Sequence, residues 1–213
     1  ELVLYKDKHN LSYKSPKSSF PYLNPDFKRG GYLPLNAQYH DLMFQYSELR
    51  NVKNSAEETA LAASNGITKT YIATPNSYLD YVPGDVIFAY RRAEEGVIKK
   101  YHSAVTSYCT VAECVCVKRQ NRILIPYDKY LEIAGNKTVL SPSELRERYN
   151  SRNVYILVLI YNGFFGKGNN VNYQTLKDNS LFEGHPYANK LSRNDVIKIL
   201  RMGEADVQNI IID

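Results

Sequence analysis

The sequence predicts a mixed α+β fold that is mainly β, a small barrel whose connections carry short helices. Three extended segments follow one another: residues 67–74 (ITKTYIAT), 85–92 (DVIFAYRR) and 103–117 (SAVTSYCTVAECVCV). Pro75-Asn76, a Pro83-Gly84-Asp85 turn and a charged linker (AEEGVIKK) separate them. A fourth run, 154–161 (VYILVLIY), is apolar almost throughout and has the length of a strand covered on both sides. No regular alternation of strand and helix runs through the chain, which argues against a doubly wound sheet.

With 213 residues, 44% of them hydrophobic and 23% charged, the chain has the composition of a soluble globular protein with a core of its own. The longest apolar run is strand-sized, well short of the roughly 18 residues of a membrane-spanning helix. No charged segment followed by an apolar stretch marks a secretory signal, so the expected location is the cytoplasm. The first residue is Glu1 rather than Met, as expected of a piece of a longer protein. A net charge of +5 permits a polyanionic partner without requiring one. Nineteen tyrosines and no tryptophan supply rings that suit pleated strands and, at the surface, base stacking. Cys109, Cys114 and Cys116 fall within one predicted strand, odd in number and without zinc-knuckle spacing, as buried reduced thiols do.

Taken in order, a short strand is expected at residues 2–5. Pro16, Pro21, Pro25 and the Gly30-Gly31 pair then make residues 9–31 a wrapping segment, anchored by Tyr13, Phe20, Tyr22 and Phe27. The phrase PLNAQYHDLMF (34–44) is apolar enough to dock, with His40 as a packing residue. Ser55 and Glu58 form a capping box for a helix that Asn65-Gly66 stops. After the three strands, Lys118, Arg119 and Arg122 form a basic connection, and residues 127–133 read as a short helix. Ser141, Pro142 and Glu144 mark the clearest helix start, a serine cap with proline at the first position and glutamate three after the cap. Residues 162–172 (NGFFGKGNNVN) lack phosphate-loop spacing, and Phe164-Phe165 suggest a mobile lid or binding loop. Ser192 and Asp195 cap a helix with Val196, Ile199 and Leu200 on one face; Gly203 ends it, and residues 207–212 read as a last strand. The expected division is 1–54 as a connector or the tail of a preceding domain and 55–213 as the barrel domain.

Catalytic patterns are sparse. The histidines at 9, 40, 102 and 185 show no metal spacing, so no metal and no cofactor are expected. A Cys109–His102 dyad competes with the plainer reading of an inert strand thiol. Glu113 shares a face with Val111 and Val115, and solvent exposure is its expected state. Binding chemistry is richer. Lys69 and Tyr71 share a face, Tyr90 precedes Arg91 and Arg92, and Ser103 and Thr106 bring hydroxyls to the start of the third strand. Together these types contact phosphate, bond base edges and stack on rings; the alternative is a set of strand-end polar residues with no specific partner. Alternation places Tyr90 and Arg91 on opposite faces, so both line one pocket only across a bulge.

The string KTYIATPNSYLDYVPGDVIFAYRR, followed by SAVTSYCTVAE, resembles the ASCH and EVE branch of the PUA-like domains. HPYANKLSRNDVIKILRMGE is similar to segments that close such domains in bacterial multidomain proteins, where the module often follows a GNAT-type acetyltransferase domain. ELVLYKDK and YHDLMF resemble the tail and connector of such a domain, although no acetyl-coenzyme A signature occurs here. The resemblance implies a PUA-like pseudo-barrel and a cleft for RNA or a modified nucleobase. By position it puts Lys69, Tyr71, Tyr90, Arg91, Ser103 and Thr106 on that cleft. The expected function is a non-catalytic nucleic-acid or modified-nucleobase binding module. The alternatives are a module docking an adjoining acetyltransferase domain, or a small hydrolase of acylated nucleosides using Lys69 or Glu113.

Overall fold

The computed structural model describes residues 15–44, 47 and 66–211. One sheet organises them, built from β1 (Arg29–Leu35), β2 (Thr68–Ala73), β3 (Val86–Arg91), β4 (Ala104–Arg119), β5 (Arg122–Ile123), β6 (Val154–Phe164), β7 (Val171–Asn172) and β8 (Leu191–Ser192). The order is β2-β6-β4-β3-β1-β8, with β5 and β7 pairing with β4. β1 runs parallel to β3, and the other strand pairs are antiparallel. The 16-residue β4 carries the curvature. Its register against β6 shifts at Tyr108/Cys109, Val111/Glu113 and Cys116/Lys118, and its register against β3 shifts at Ala89/Tyr90. Each bulge bends and twists the strand, so the sheet curls into a mixed α+β, mainly β pseudo-barrel flanked by short helices.

Strand alternation sorts the core. Tyr32, Phe88, Tyr90 and Tyr108 point to one side, under Leu176 of α6 (Tyr173–Asp178) and Val196, Ile199 and Leu200 of α7 (Arg193–Met202). Leu33, Leu35, Ile87, Ala89, Cys109, Leu157 and Leu159 point to the other, against Met43 of α2 (Ala37–Met43) and Phe44. Ile72, Val117, Val154 and Ile156 meet Tyr130 of α4 (Tyr127–Ala134) and Leu145 and Tyr149 of α5 (Pro142–Tyr149). Two of the caps read from sequence are present. The Ser141 amide donates to Glu144 Oε2 at 2.7 Å, and the Ser192 amide donates to Asp195 Oδ2 at 2.9 Å. Two shorter helices, α1 (Pro16–Ser19) and α3 (Lys99–His102), lie in connections, and α8 (Val207–Ile210) follows α7.

Several expectations are corrected. The end of the segment expected to wrap the barrel, residues 29–31, instead opens β1, so the sheet draws on residues well before position 54. Its glycines are there for space rather than for a turn: a Cβ on Gly30 would sit 2.6 Å from the Val86 carbonyl oxygen and 2.6 Å from Val196 Cγ2. Gly30→Ala is therefore expected to cost about 1–3 kcal/mol through overpacking, read as a lower urea midpoint at unchanged slope. The last stretch is helical because the Asp206 side chain accepts from the Asn209 amide; only Ile211 makes a bridge, to Leu23. Phe165 is no lid residue, since it is 5% exposed and packs on Phe88 and Tyr108, while Phe164 beside it is exposed. The strand expected at 2–5 and the helix capped by Ser55 lie outside the described residues. Among the described residues no helix is long and apolar enough to cross a membrane.

Candidate functional site

A cleft of about 460 Å³ opens where α2, the end of β1, β2 and the loop after it meet α5 and the short 3-10 turn Pro186–Ala188. That volume lies in the range of small-molecule sites. α2 contributes Tyr39 and Met43, and β2 contributes Thr70, Tyr71 and Ile72. Residues 74–77 form the rim, Arg92 follows β3, Arg148 projects from α5, and His185 and Tyr187 close the far side.

The tyrosines are fastened to the frame. Tyr71 donates its hydroxyl to the Pro34 carbonyl at 3.0 Å and lies 2.9 Å from the Tyr187 hydroxyl, which then donates to it. Tyr39 donates to Glu144 Oε1, tying α2 to the first turn of α5. Burial raises the phenols of Tyr71 and Tyr187, so both stay neutral and the arginines set the charge of the cleft. Arg148 and Arg92 line the cleft together with Tyr71, and their charges oppose the rise of its phenol. Arg148 reaches Thr74 Oγ1 at 3.4 Å, and neither arginine forms an ion pair among the described residues. Among the described residues no carboxylate lines the cleft. The Thr70 hydroxyl, buried on the wall, has no partner among the described residues.

Of the six residues read from sequence, only Tyr71 lines this cleft. Lys69 is 1% exposed, with its ammonium 5.5 Å from the Tyr161 ring centre and 5.9 Å from that of Phe44, and burial pushes it down to about 8. Tyr90 is buried on the opposite face, with ring centres 5.0 Å from Phe182 and 6.1 Å from Tyr32. Arg91 is consumed by Asp41, with Nε to Oδ1 at 2.9 Å and Nη2 to Oδ2 at 3.0 Å. The Ser103 hydroxyl accepts from the Ala93 amide at 2.8 Å. Thr106 Oγ1 lies 2.7 Å from His40 Nε2, so His40 does pack as expected, fully buried. Sequence reasoning passed over Tyr39, Arg92, Arg148 and Tyr187. The only local signal among them was the Arg91-Arg92 pair, of which the second member has no ion-pair partner among the described residues.

Other candidates fall away. Cys109 is 1% exposed and its thiol is pushed up to about 12 by burial, while His102 is exposed at the end of α3, so they form no dyad. Glu113 faces solvent at a bulge of β4. Among the described residues no group of three or more His, Cys, Asp or Glu is placed to hold a metal ion.

A curled mixed sheet flanked by short helices, with a cleft beside its β2 edge, makes a mainly-β pseudo-barrel. Comparison with solved structures shows a similar fold in an ASCH protein. The fold is similar to that of a serine-to-alanine variant of the ASCH protein of Zymomonas mobilis, with a TM-score of 0.51 at 13% identity over 84% of this chain and 98% of that one. The ASCH protein of Zymomonas mobilis without that substitution aligns at a TM-score of 0.49 and 12% identity, over 81% of this chain and 94% of its own. No protein-family model and no curated protein sequence matches the chain.

Proposed function

We propose that the chain binds a nucleotide unit of RNA, or a modified nucleobase carrying phosphate, in the cleft around Tyr71, and that it binds without chemical turnover. The observation that carries this reading is the pairing of two guanidiniums, without carboxylate partners among the described residues, with a wall of three neutral tyrosines. Arginine forks suit phosphate oxygens and phenol rings suit the faces of bases. Thr70, Asn36, Asn76 and Ser77 add donors and acceptors for base edges along the same wall. The ASCH-type fold agrees with this reading. Turnover has less support, because Lys69 is buried away from the cleft and Glu113 lies on an exposed stretch of β4. The reading does not depend on an adjoining acetyltransferase domain.

Fluorescence anisotropy with labelled mononucleotides, modified nucleosides and short single strands tests it. Binding is expected at low salt, with log affinity falling linearly as log salt rises, by about 0.7 per phosphate contacted. No binding of any phosphorylated probe at low salt would end the proposal.

A further inference from the structure

Resting on that reading of the cleft, we infer that the ligand is a single strand that leaves the cleft over Tyr78 and continues onto the β4–β5 hairpin, where Arg119, Arg122 and Arg152 receive its phosphates. Residues 74–77 form the cleft rim, and Tyr78 follows directly, 58% exposed. The Arg119 guanidinium lies over its ring at 4.7 Å from the centre, and the ring also meets Tyr155 edge-on. Asn153 stitches rim and hairpin together. Its amide nitrogen donates to the Pro75 carbonyl at 3.0 Å, while its oxygen accepts from the Gln120 amide at 2.8 Å. The Asn121 amide donates to the Arg152 carbonyl at 2.9 Å, which brings the third arginine beside the hairpin turn.

The charge on this surface is uncompensated. Arg119, Arg122 and Arg152 are exposed and make no ion pair among the described residues. No acidic residue occurs at positions 74–79, 118–126 or 150–154. Asp80, next along the chain, is engaged by Arg29 at 3.1 Å and Lys190 at 3.0 Å. A cluster of unpaired cations by itself is an ordinary solvated face. Continuity with the cleft and an exposed phenol backed by a guanidinium make it a path for a polyanion that also carries rings. An acidic peptide would match the charge but would leave the ring of Tyr78 without a use. A nucleic-acid strand uses both.

The test compares a labelled mononucleotide with single strands of increasing length, up to about nine nucleotides, within the usual footprint of such surfaces. Affinity is expected to rise with length. The double variant Arg119→Ala, Arg122→Ala is expected to weaken the longest strand and reduce its salt slope by about 1.4, while mononucleotide affinity stays unchanged. Tyr78→Ala is expected to weaken the longest strand by roughly 5- to 100-fold, also without effect on the mononucleotide. If the longest strand binds no tighter than the mononucleotide, or the arginine variant binds it as well as the parent, the path is wrong and the cleft stands. If neither probe binds, cleft and path fall together. If polyglutamate displaces the strand equally well and Tyr78→Ala has no effect, the surface belongs to an acidic protein partner and the inference is overturned.

Discussion

Replacing Arg148 by alanine is expected to lower mononucleotide affinity by about 10- to 100-fold while leaving the urea midpoint in place. A charge-assisted hydrogen bond to a ligand is worth roughly 1.5–3 kcal/mol, which sets the scale. Stability is expected to hold because the side chain is only partly buried and its one hydrogen bond among the described residues, to Thr74, is long at 3.4 Å. Arg148→Lys restores the charge but not the planar fork, so it should recover only part of the loss. Arg91 provides the contrast within the same molecule. Its guanidinium is already saturated by Asp41, so its removal should damage the fold and not the binding signal of the protein that remains folded. The measurement is a titration of each variant alongside its unfolding curve. Unchanged affinity in Arg148→Ala would remove that residue from the site.

The contrast between Arg91 and Arg92 shows how far the sequence carries. Alternation says that neighbours on a strand face opposite sides, and Tyr90 and Arg91 do, one under α7 and the other beside α2. It does not say which side is covered, because the covering comes from segments distant in sequence. Tyr39, Arg148 and Tyr187 reach one cleft from three such segments, and no local pattern joins them. Helix caps were legible because a serine and the carboxylate three residues after it complete their bonds within one turn. β1 was hidden because Gly30, Gly31 and Pro34 read as breakers. In the fold the glycines admit the Val86 carbonyl and the Tyr81 ring, and Pro34 lends its carbonyl to Tyr71. The serine, threonine and lysine at the start of the sheet were read as ligand contacts. Polar side chains of a curled sheet also bond one another inside it, as Thr106 does with His40.

Asp41→Ala is expected to destabilise the protein by about 3–5 kcal/mol, the usual result of stripping one partner from a buried ion pair. Arg91 has a side-chain exposure of 3%, and without Asp41 it would keep, among the described residues, only Glu94, 61% exposed and 3.3 Å away. His40 would also lose the acceptor of its Nδ1 hydrogen, 2.8 Å away, while Nε2 accepts from Thr106. The same cluster fixes the behaviour in acid. Burial works against the charged form of Asp41, but the hydrogen bond from His40 and the bonds and charge of Arg91 outweigh it and hold the carboxyl at about 2, below its ordinary 3.8. A carboxyl held down in the folded state contributes stability that is complete above pH 3.8 and is lost as pH falls through 2. The loss amounts to roughly 2 kcal/mol. Burial also lowers His40 from its ordinary 6.5, so its neutral form favours the fold above that pH and stability begins to decline below it. At neutral pH the ring therefore holds Asp41 through its N–H rather than through charge. Urea midpoints measured from pH 7 downward should fall gently at first and then steeply below about pH 4. In Asp41→Asn the steep leg should become shallower from a lower starting stability, keeping the part due to Asp80 and Glu144, whose carboxyls are also held below their ordinary values. A parallel pH profile in the two proteins would show that Asp41 does not anchor this corner of the barrel.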